Sequence, residues 1–258
     1  MIQYVYRPAS LSEAVELREK EQAVYLSGGT WVNWAGSDIH PQKVVLLEDL
    51  LPDMVEKVND GLEIGSGITL QTLMDAEDVP GPLRQAAGFI FSRSVRNMAT
   101  LGGNIAANRT DSCVIPALIA LNARIKTVGG AEIPVEDYLT QGEGTLIEWV
   151  VLPKVAGRCM VDRAALSAAA CPTLTLAVRV AEEETVITLG CVADRVVRLK
   201  TVEERVTSGE LMTEEDIFKA VYAGVDPPAG LKESGAYRRY IAATMAARVV
   251  TECRGMAS

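Results

Sequence analysis

Three glycine-containing corners constrain the path of this 258-residue chain more than any other feature of its sequence. They read SGGT at residues 27–30, GSG at 65–67 and TLGGN at 100–104. Glycine adopts positive φ angles and lets a backbone approach a neighbouring group closely, because it has no Cβ atom. At each corner the chain must therefore turn sharply or touch another group at short range.

The segments around the first corner alternate between strand and helix patterns. Residues 3–8 alternate like a strand, and residues 10–22 predict a helix that is opened by a capping box. Two apolar runs at 23–26 and 43–50 predict two more strands. Such an alternation is typical of a small α/β unit.

Hairpins and further helices are predicted up to residue 153. Residues 56–68 and 123–139 predict hairpins, because glycine-containing turns interrupt their alternating apolar positions. Helices are predicted to begin after Thr69 and within 111–123. The apolar run at 145–153 predicts a strand that its final proline closes.

Beyond Pro153 the pattern changes to short alternating segments followed by helices. Residues 172–199 predict three strands, and residues 213–225 and 235–253 predict helices. Strands followed by helices, without a glycine-rich ligand loop among them, are typical of an α+β layer. The sequence therefore predicts two domains that meet at about residue 153.

Charge and composition exclude several classes of function. The 25 basic and 34 acidic side chains give a net charge of −9, and the sequence contains no block rich in Lys or Arg. Binding to nucleic acid or to an anionic membrane surface is therefore not expected. The sequence also lacks the run of about 18 apolar residues that predicts a membrane span, and its N-terminus lacks a signal-peptide pattern. We expect a cytoplasmic protein without membrane insertion.

The titratable side chains form no recognisable catalytic or metal site in the sequence. The five cysteines are scattered and contain no C-x-x-C pair, so reduced thiols are expected rather than a zinc or iron–sulfur site. His40 is the only histidine, which leaves no Ser-His-Asp or Cys-His arrangement for hydrolase chemistry. No catalytic residue and no metal ligand is predicted.

The three corners together have the chemistry of a nucleotide site. Each carries a Ser or Thr hydroxyl and can present several backbone N–H groups in one direction, as a diphosphate or a polyhydroxyl chain requires. An ordinary turn explains any one corner alone, whereas three in one domain favour a nucleotide. Neither the G-x-G-x-x-G fingerprint nor a phosphate-binding P-loop is present. Trp31 and Trp34, just after the first corner, either stack near the ligand or serve only in packing.

Four motifs occur in a fixed order along the chain: LSGGTWVN at 26–33, EIGSGITLQTL at 63–73, RNMATLGGNIAAN at 96–108 and IPALIALNARI at 115–125. Together they resemble the FAD-binding (medium) subunit of the molybdenum hydroxylases, the family of xanthine dehydrogenases and carbon monoxide dehydrogenases. The resemblance extends past Pro153, because strands followed by YRRYIAATMAARVV at 237–250 are similar to the C-terminal domain of such flavoproteins. Nearly the whole chain is covered.

The resemblance implies a mixed α/β (α+β) fold in two parts. Residues 1–152 correspond to a PCMH-type FAD-binding domain of the vanillyl-alcohol-oxidase kind, with subdomains of about 1–52 and 53–152. Residues 153–258 correspond to a C-terminal domain like that of carbon monoxide dehydrogenase flavoproteins. That domain is expected to hold a three-stranded antiparallel sheet and helices.

The resemblance also implies which residues hold FAD. In such proteins the first glycine loop and the T-x-G-G-N loop hold the FAD diphosphate and nearby ribityl atoms. The residues at the matching positions are Ser27, Gly28, Gly29, Thr30, Thr100, Gly102, Gly103 and Asn104, with Gly65 and Gly67 lining the site. In an acidic protein, fixed backbone N–H groups can bind phosphates without a lysine cluster.

One position departs from the family pattern. Relatives commonly place an aspartate ten residues after Gly103, where its carboxylate accepts hydrogen bonds from flavin side-chain hydroxyls, and this chain has Cys113 there. Asp111 or Ser112 is expected to cap the helix that follows. Ser112 is also the candidate that replaces the missing aspartate as partner of the ribityl chain.

The function that the resemblance implies is electron relay. A molybdopterin-binding large subunit takes electrons from its substrate, a [2Fe–2S] small subunit passes them on singly, and FAD in this chain collects them for NAD⁺ or another acceptor. Such a role needs no acid–base side chain in the flavin subunit. Two alternatives stay open: a scaffold or assembly subunit with weak or no flavin binding, and a self-contained flavin-dependent oxidoreductase.

Overall fold

The computed structural model describes residues 2–141, 144–228 and 234–255, and the chain divides into two units built from interleaved segments. The first unit comprises Met1–Val79, Ser92–Ala107 and Ala123–Pro153. The second unit comprises Pro80–Phe91, Asn108–Asn122 and Lys154–Ser258. Each unit has its own sheet structure and its own hydrophobic cluster. Strands and helices are numbered along the chain.

A parallel sheet opens the first unit. Its strands, in the order β1-β3-β2, are β1 (Tyr4–Tyr6), β2 (Val24–Leu26) and β3 (Lys43–Leu46). Helix α1 (Leu11–Glu21) joins β1 to β2 and is capped by Ser10, whose hydroxyl accepts the Glu13 N–H at 3.1 Å. The Glu13 carboxylate accepts the Ala9 N–H at 2.7 Å, so only half of the predicted capping box is present. The expected strand–helix–strand start is therefore present. A buried cluster holds helix and sheet together, and its members are Ala14, Ala23, Val45, Leu47 and Leu146.

An antiparallel sheet follows in the same unit, in the order β4-β5-β8-β6-β7. Its strands are β4 (Val55–Val58), β5 (Gly61–Gly65), β6 (Arg124–Thr127), β7 (Glu132–Pro134) and β8 (Ile147–Pro153). Both predicted hairpins are present. The second ends at Pro134 rather than at residue 139, because helix α7 begins at Val135. The helices of this unit after α1 are α2 (Leu70–Asp75), α4 (Arg93–Arg96), α5 (Leu101–Ala106) and α7 (Val135–Gln141).

The second unit is built on an antiparallel sheet in the order β12-β11-β10-β9. Its strands are β9 (Arg158–Ala164), β10 (Leu174–Val180), β11 (Thr185–Gly190) and β12 (Val197–Arg198). This sheet therefore has four strands, one more than the three that were expected. Strand β9 is not predicted by the sequence pattern, because Val161 is buried but its neighbours are not, and the apolar alternation is therefore weak.

The helices of the second unit are α3 (Gly81–Gly88), α6 (Val114–Ala120), α8 (Lys200–Thr207), α9 (Glu214–Gly224) and α10 (Gly235–Cys253). Small side chains on α10 bring it close to the sheet. Ala242, Ala243, Ala246 and Ala247 are buried in one cluster with the apolar side chains of β10. This spacing places them on one helical face, as the predicted helix at 235–253 requires.

All five cysteines are unpaired thiols. Burial raises the pKa of Cys113, Cys159 and Cys191 to about 12 in each case. Cys171, in contrast, is exposed. In the described ranges no helix is both long and apolar enough to cross a membrane.

Candidate functional site

The first glycine corner directly follows β2. Gly29 has a φ of 64°, in the left-handed region that favours glycine. The Asn33 N–H donates to the Gly29 carbonyl at 3.0 Å, so the corner leads into a single helical turn. Within the described part of the chain, the N–H groups of Gly28, Gly29 and Thr30 donate to no protein acceptor. Three successive donors are therefore available to an anion.

The second corner uses its backbone donors internally. The Gly65 N–H donates to the Met54 carbonyl at 2.9 Å, and the Gly67 N–H donates to the Pro52 carbonyl at 2.9 Å. A Cβ atom at position 65 would lie 2.1 Å from the Pro52 carbonyl oxygen, so only glycine allows this approach. Gly65 and Gly67 thus shape the site through protein contacts rather than through free donors.

The third corner is the first turn of a helix. The Thr100 hydroxyl caps α5 by accepting the Gly103 N–H at 3.1 Å. The Gly102 N–H donates to the Ser66 carbonyl at 2.8 Å, and a Cβ atom at position 102 would lie 2.7 Å from the Ser66 Cβ. Gly103 is exposed and Asn104 is half-buried. The close approach expected of this glycine pair is therefore an approach to the second corner.

A cleft of about 340 Å³ lies where these corners meet. Four of its lining residues were predicted from the sequence: Ser27, Gly28, Gly67 and Thr100. The described residues that line it do not include the other six predicted at the corners: Gly29, Thr30, Gly65, Gly102, Gly103 and Asn104. The volume lies at the lower end of the range for small-molecule sites.

Six further lining residues were not predicted: Leu47, Glu48, Asp49, Leu51, Asp53 and Met98. Most of them follow β3, just as Ser27 and Gly28 follow β2. Because β2 and β3 pair in parallel, their carboxyl ends meet at one edge of the sheet, which is where ligands bind in open parallel sheets. The acidic LLEDLLPD run at 46–53 was the available signal, but its first five residues were predicted as part of a strand over 43–50, whereas β3 ends at Leu46.

The donors and acceptors of the cleft fit FAD in two different ways. Free N–H groups and the hydroxyls of Ser27 and Thr100 can donate to phosphate oxygens. The carboxylates of Glu48, Asp49 and Asp53 instead repel phosphates and can accept hydrogen bonds from ribose or ribityl hydroxyls. The cleft can therefore hold a ligand that combines a diphosphate with hydroxylated carbon chains.

Ser112 belongs to the second unit, where its buried hydroxyl serves α6. The hydroxyl accepts the N–H groups of Val114 at 3.2 Å and Ile115 at 3.1 Å, so Ser112 rather than Asp111 supplies the expected cap. Asp111 instead accepts the Nε–H of Arg109 at 2.7 Å and forms a second contact with the same guanidinium group. Burial raises the pKa of Cys113, so its thiol is neutral at physiological pH.

A family model described as "FAD binding domain in molybdopterin dehydrogenase" matches residues 1–155. The chain belongs to this family. Membership confirms the resemblance inferred from the four motifs, and it confirms FAD as the cofactor. In the described part of the chain, no group of three or more His, Cys, Asp or Glu side chains could hold a metal ion.

Two relatives match different lengths of the chain. The uncharacterized protein YgfM of Escherichia coli (strain K12) is 32% identical over 257 residues, covering 98% of this chain and 97% of that protein. Aldehyde oxidase 4 of Cavia porcellus is 33% identical over 52% of this chain, which corresponds to 12% of its own length. Sequences similar to this chain therefore make up nearly the whole of one protein and a small part of a longer one.

Solved structures show the same fold over the full chain. The carbon monoxide dehydrogenase of Hydrogenophaga pseudoflava matches with a TM-score of 0.86 at 19% identity, covering 100% of this chain and 99% of that chain. The quinoline 2-oxidoreductase of Pseudomonas putida 86 matches with a TM-score of 0.84 at 20% identity, covering 100% and 98%. These likenesses confirm the mixed α/β fold class.

Proposed function

We propose that this chain is the flavin subunit of a multi-subunit, xanthine dehydrogenase-like molybdenum hydroxylase. The observation that carries the proposal is the set of free N–H groups at Gly28, Gly29 and Thr30, beside a cleft that the other two corners complete. In this proposal residues 1–152 form the FAD-binding domain and residues 153–258 the C-terminal domain. The family match over residues 1–155 supports that division.

The residues of the chain bind and orient the cofactor rather than perform acid–base chemistry. Bound FAD supplies the redox chemistry, taking up and releasing electrons at its isoalloxazine ring. The backbone of the first corner holds the diphosphate, Thr100 fixes the start of α5 beside it, and Gly65 and Gly67 let the second corner close the wall. Ser112 stabilises the start of α6 in the second unit.

The partners proposed for this relay are a molybdopterin-binding large subunit and a [2Fe–2S] small subunit, with NAD⁺ or another compound as acceptor. The Hydrogenophaga pseudoflava structure supports a molybdenum partner, because it is described as lacking the Mo-pyranopterin moiety of its molybdenum cofactor. We place the complex in the cytoplasm, where unpaired cysteines stay reduced.

This function is tested by purifying the chain alone and together with the proteins that adjacent genes encode. We expect flavin absorption in the chain alone, and co-purification of polypeptides that carry molybdopterin and [2Fe–2S] clusters. Reduction of the bound flavin by NADH without those partners would identify a nicotinamide acceptor. A flavin-containing protein that oxidises a substrate unaided would replace the relay with a self-contained oxidoreductase.

One observation favours the scaffold alternative. Glu48, Asp49 and Asp53 place three carboxylates on the wall of the cleft, and their charge opposes a diphosphate. A scaffold subunit would be colourless and would not take up added FAD. Saturable uptake of FAD by flavin-free protein excludes it.

A further inference from the structure

A pair of tryptophans, half-buried Trp31 and exposed Trp34, follows the first glycine corner and does not line the cleft. The rings of Trp31 and Trp34 stack with centroids 4.9 Å apart and an interplanar angle of 29°. Trp34 nevertheless leaves 47% of its surface exposed. A buried indole contributes strongly to stability, so an indole held half in solvent loses much of that contribution. Nearly half of the Trp34 surface therefore faces solvent rather than the core.

The fold holds the Trp34 ring in one place. Trp31 covers one face, and the Trp34 N–H donates to the Trp31 carbonyl at 3.0 Å. C-terminal to Trp34, the Ser37 N–H donates to the Trp34 carbonyl at 2.9 Å, and Ser37 is buried. A Cβ atom at Gly36 would lie 2.4 Å from Cη2 of Trp34, so glycine leaves the space that the ring occupies. The exposed indole is thus preorganised.

The location of this ring suits a nucleotide. Trp34 follows Thr30, the last free donor of the first corner, by four residues, which is about one helical turn or 5.4 Å. In a dinucleotide a sugar or ribityl chain of similar reach separates the diphosphate from each planar ring. Stacking of such a ring on an aromatic side chain is a common mode of nucleotide recognition.

We propose that Trp31 and Trp34 form a stacking platform for a planar ring of a dinucleotide that binds beside the first corner. The inference rests on the proposed function for the diphosphate and adds the site that receives a ring. Two sources share this chemistry: the FAD of this chain, and a nicotinamide dinucleotide that acts as electron acceptor. No covalent step is involved.

Fluorescence and calorimetric titrations of flavin-free protein test the platform. The probes are FAD, NADH and ADP-ribose, added to the wild type and to the Trp34→Ala, Trp34→Phe and Gly36→Ala variants. Trp149→Phe is the matched control, because it removes an indole from β8 of the same unit. Far-UV circular dichroism and thermal melting establish that each variant is folded.

We expect a dinucleotide to quench indole emission in the wild type and in Trp149→Phe, with most of the quenching lost in Trp34→Ala. Trp34→Ala should raise Kd by about 10-fold, as loss of one ring stack predicts, and Trp34→Phe by about threefold or less. Gly36→Ala keeps the indole but displaces it, so it should also weaken binding. Loss of the effect with FAD identifies the flavin nucleotide as the source, and loss with NADH on FAD-loaded protein identifies the acceptor.

Wild-type Kd values for every dinucleotide in both Trp34→Ala and Gly36→Ala would overturn the platform. In that result FAD binding itself, and with it the proposed function, would stand. If the wild type binds no FAD, the proposed function fails, and the NADH titration alone then decides the platform. Absence of quenching by all three probes overturns it.

Discussion

The α-carbon of Gly28 abuts the backbone of Met98, and a Cβ atom at position 28 would lie 1.6 Å from the Met98 carbonyl oxygen. This contact joins the first corner to the segment that leads into the third. Both residues line the cleft. The shape of the cleft therefore depends on the absence of a side chain at one position.

Replacement of Gly28 by alanine should separate the two walls of the cleft. We expect Gly28→Ala to lower the free energy of unfolding by about 1–3 kcal/mol, because the loop must shift to admit the methyl group. Flavin content should fall sharply. Gly81→Ala is the control: nothing lies within 4 Å of a Cβ atom at that helical glycine, and this variant should keep wild-type flavin content and stability or better. Equal flavin content in the two variants would contradict this role of the contact.

The hydroxyl of Thr100 should affect both folding and cofactor affinity. Thr100→Val removes the cap of α5 and should cost about 1 kcal/mol of stability. Thr69 caps α2 in the same way, through a 3.1 Å hydrogen bond from the Thr72 N–H, but does not line the cleft. Thr69→Val should therefore cost a similar amount of stability and leave the Kd for FAD unchanged. In Thr100→Val that Kd should rise about fivefold, as loss of one hydrogen bond predicts; identical Kd values in the two variants would rule out a contact to FAD.

Local patterns predicted most elements of the fold. The cap at Ser10, the turn before Gly61 and the alternation along β8 are encoded within a few residues, so the sequence alone indicates them. The second-unit strand β9 was missed because most of its side chains are half-buried and show no apolar alternation. Burial against a partner, rather than local pattern, defines such a strand.

The candidate site was predicted only in part, because its missing features depend on contacts between distant residues. Gly102 and Gly103 disfavour a helix by propensity, yet α5 passes through them, and Gly102 is needed for the close approach to Ser66. Glu48 and Asp49 reach the cleft through the parallel pairing of β2 and β3. Neither contact has a signature within its own segment.

The carboxylate of Asp49 should weaken the binding of a diphosphate. Asp49 has a φ of 60°, a conformation that asparagine also tolerates, so Asp49→Asn should fold normally. We expect this variant to bind FAD about two- to fivefold more tightly at low ionic strength, with the gain vanishing in about 1 M salt, where charges are screened within about 3 Å. Glu56→Gln, on the exposed face of β4, should leave the affinity unchanged. Weaker binding by Asp49→Asn would instead identify the carboxylate as an acceptor for a cofactor hydroxyl.

The buried thiols should make the protein less stable in alkali. Their ordinary pKa is about 9, whereas burial raises the pKa of Cys113, Cys159 and Cys191 to about 12 in the folded chain. Between these pH values the unfolded chain binds fewer protons, so the stability present below pH 9 is lost as the pH rises towards 12. Each thiol can contribute up to about 1.4 kcal/mol per pH unit.

Urea denaturation at several pH values between 8 and 11 measures this decline. Cys159→Ala should make it shallower than in the wild type. Cys171→Ala, which removes an exposed thiol, should leave the slope unchanged. A slope that is the same in both variants would show that the half-buried thiol of Cys159 does not titrate with unfolding.

The central claim is that the first corner and its cleft hold FAD, and a titration of flavin-free protein with FAD tests it most directly. The free N–H groups of Gly28, Gly29 and Thr30 predict saturable binding of one FAD per chain, accompanied by a shifted and resolved flavin absorption band. Folded protein that takes up no FAD at any accessible concentration would contradict the account.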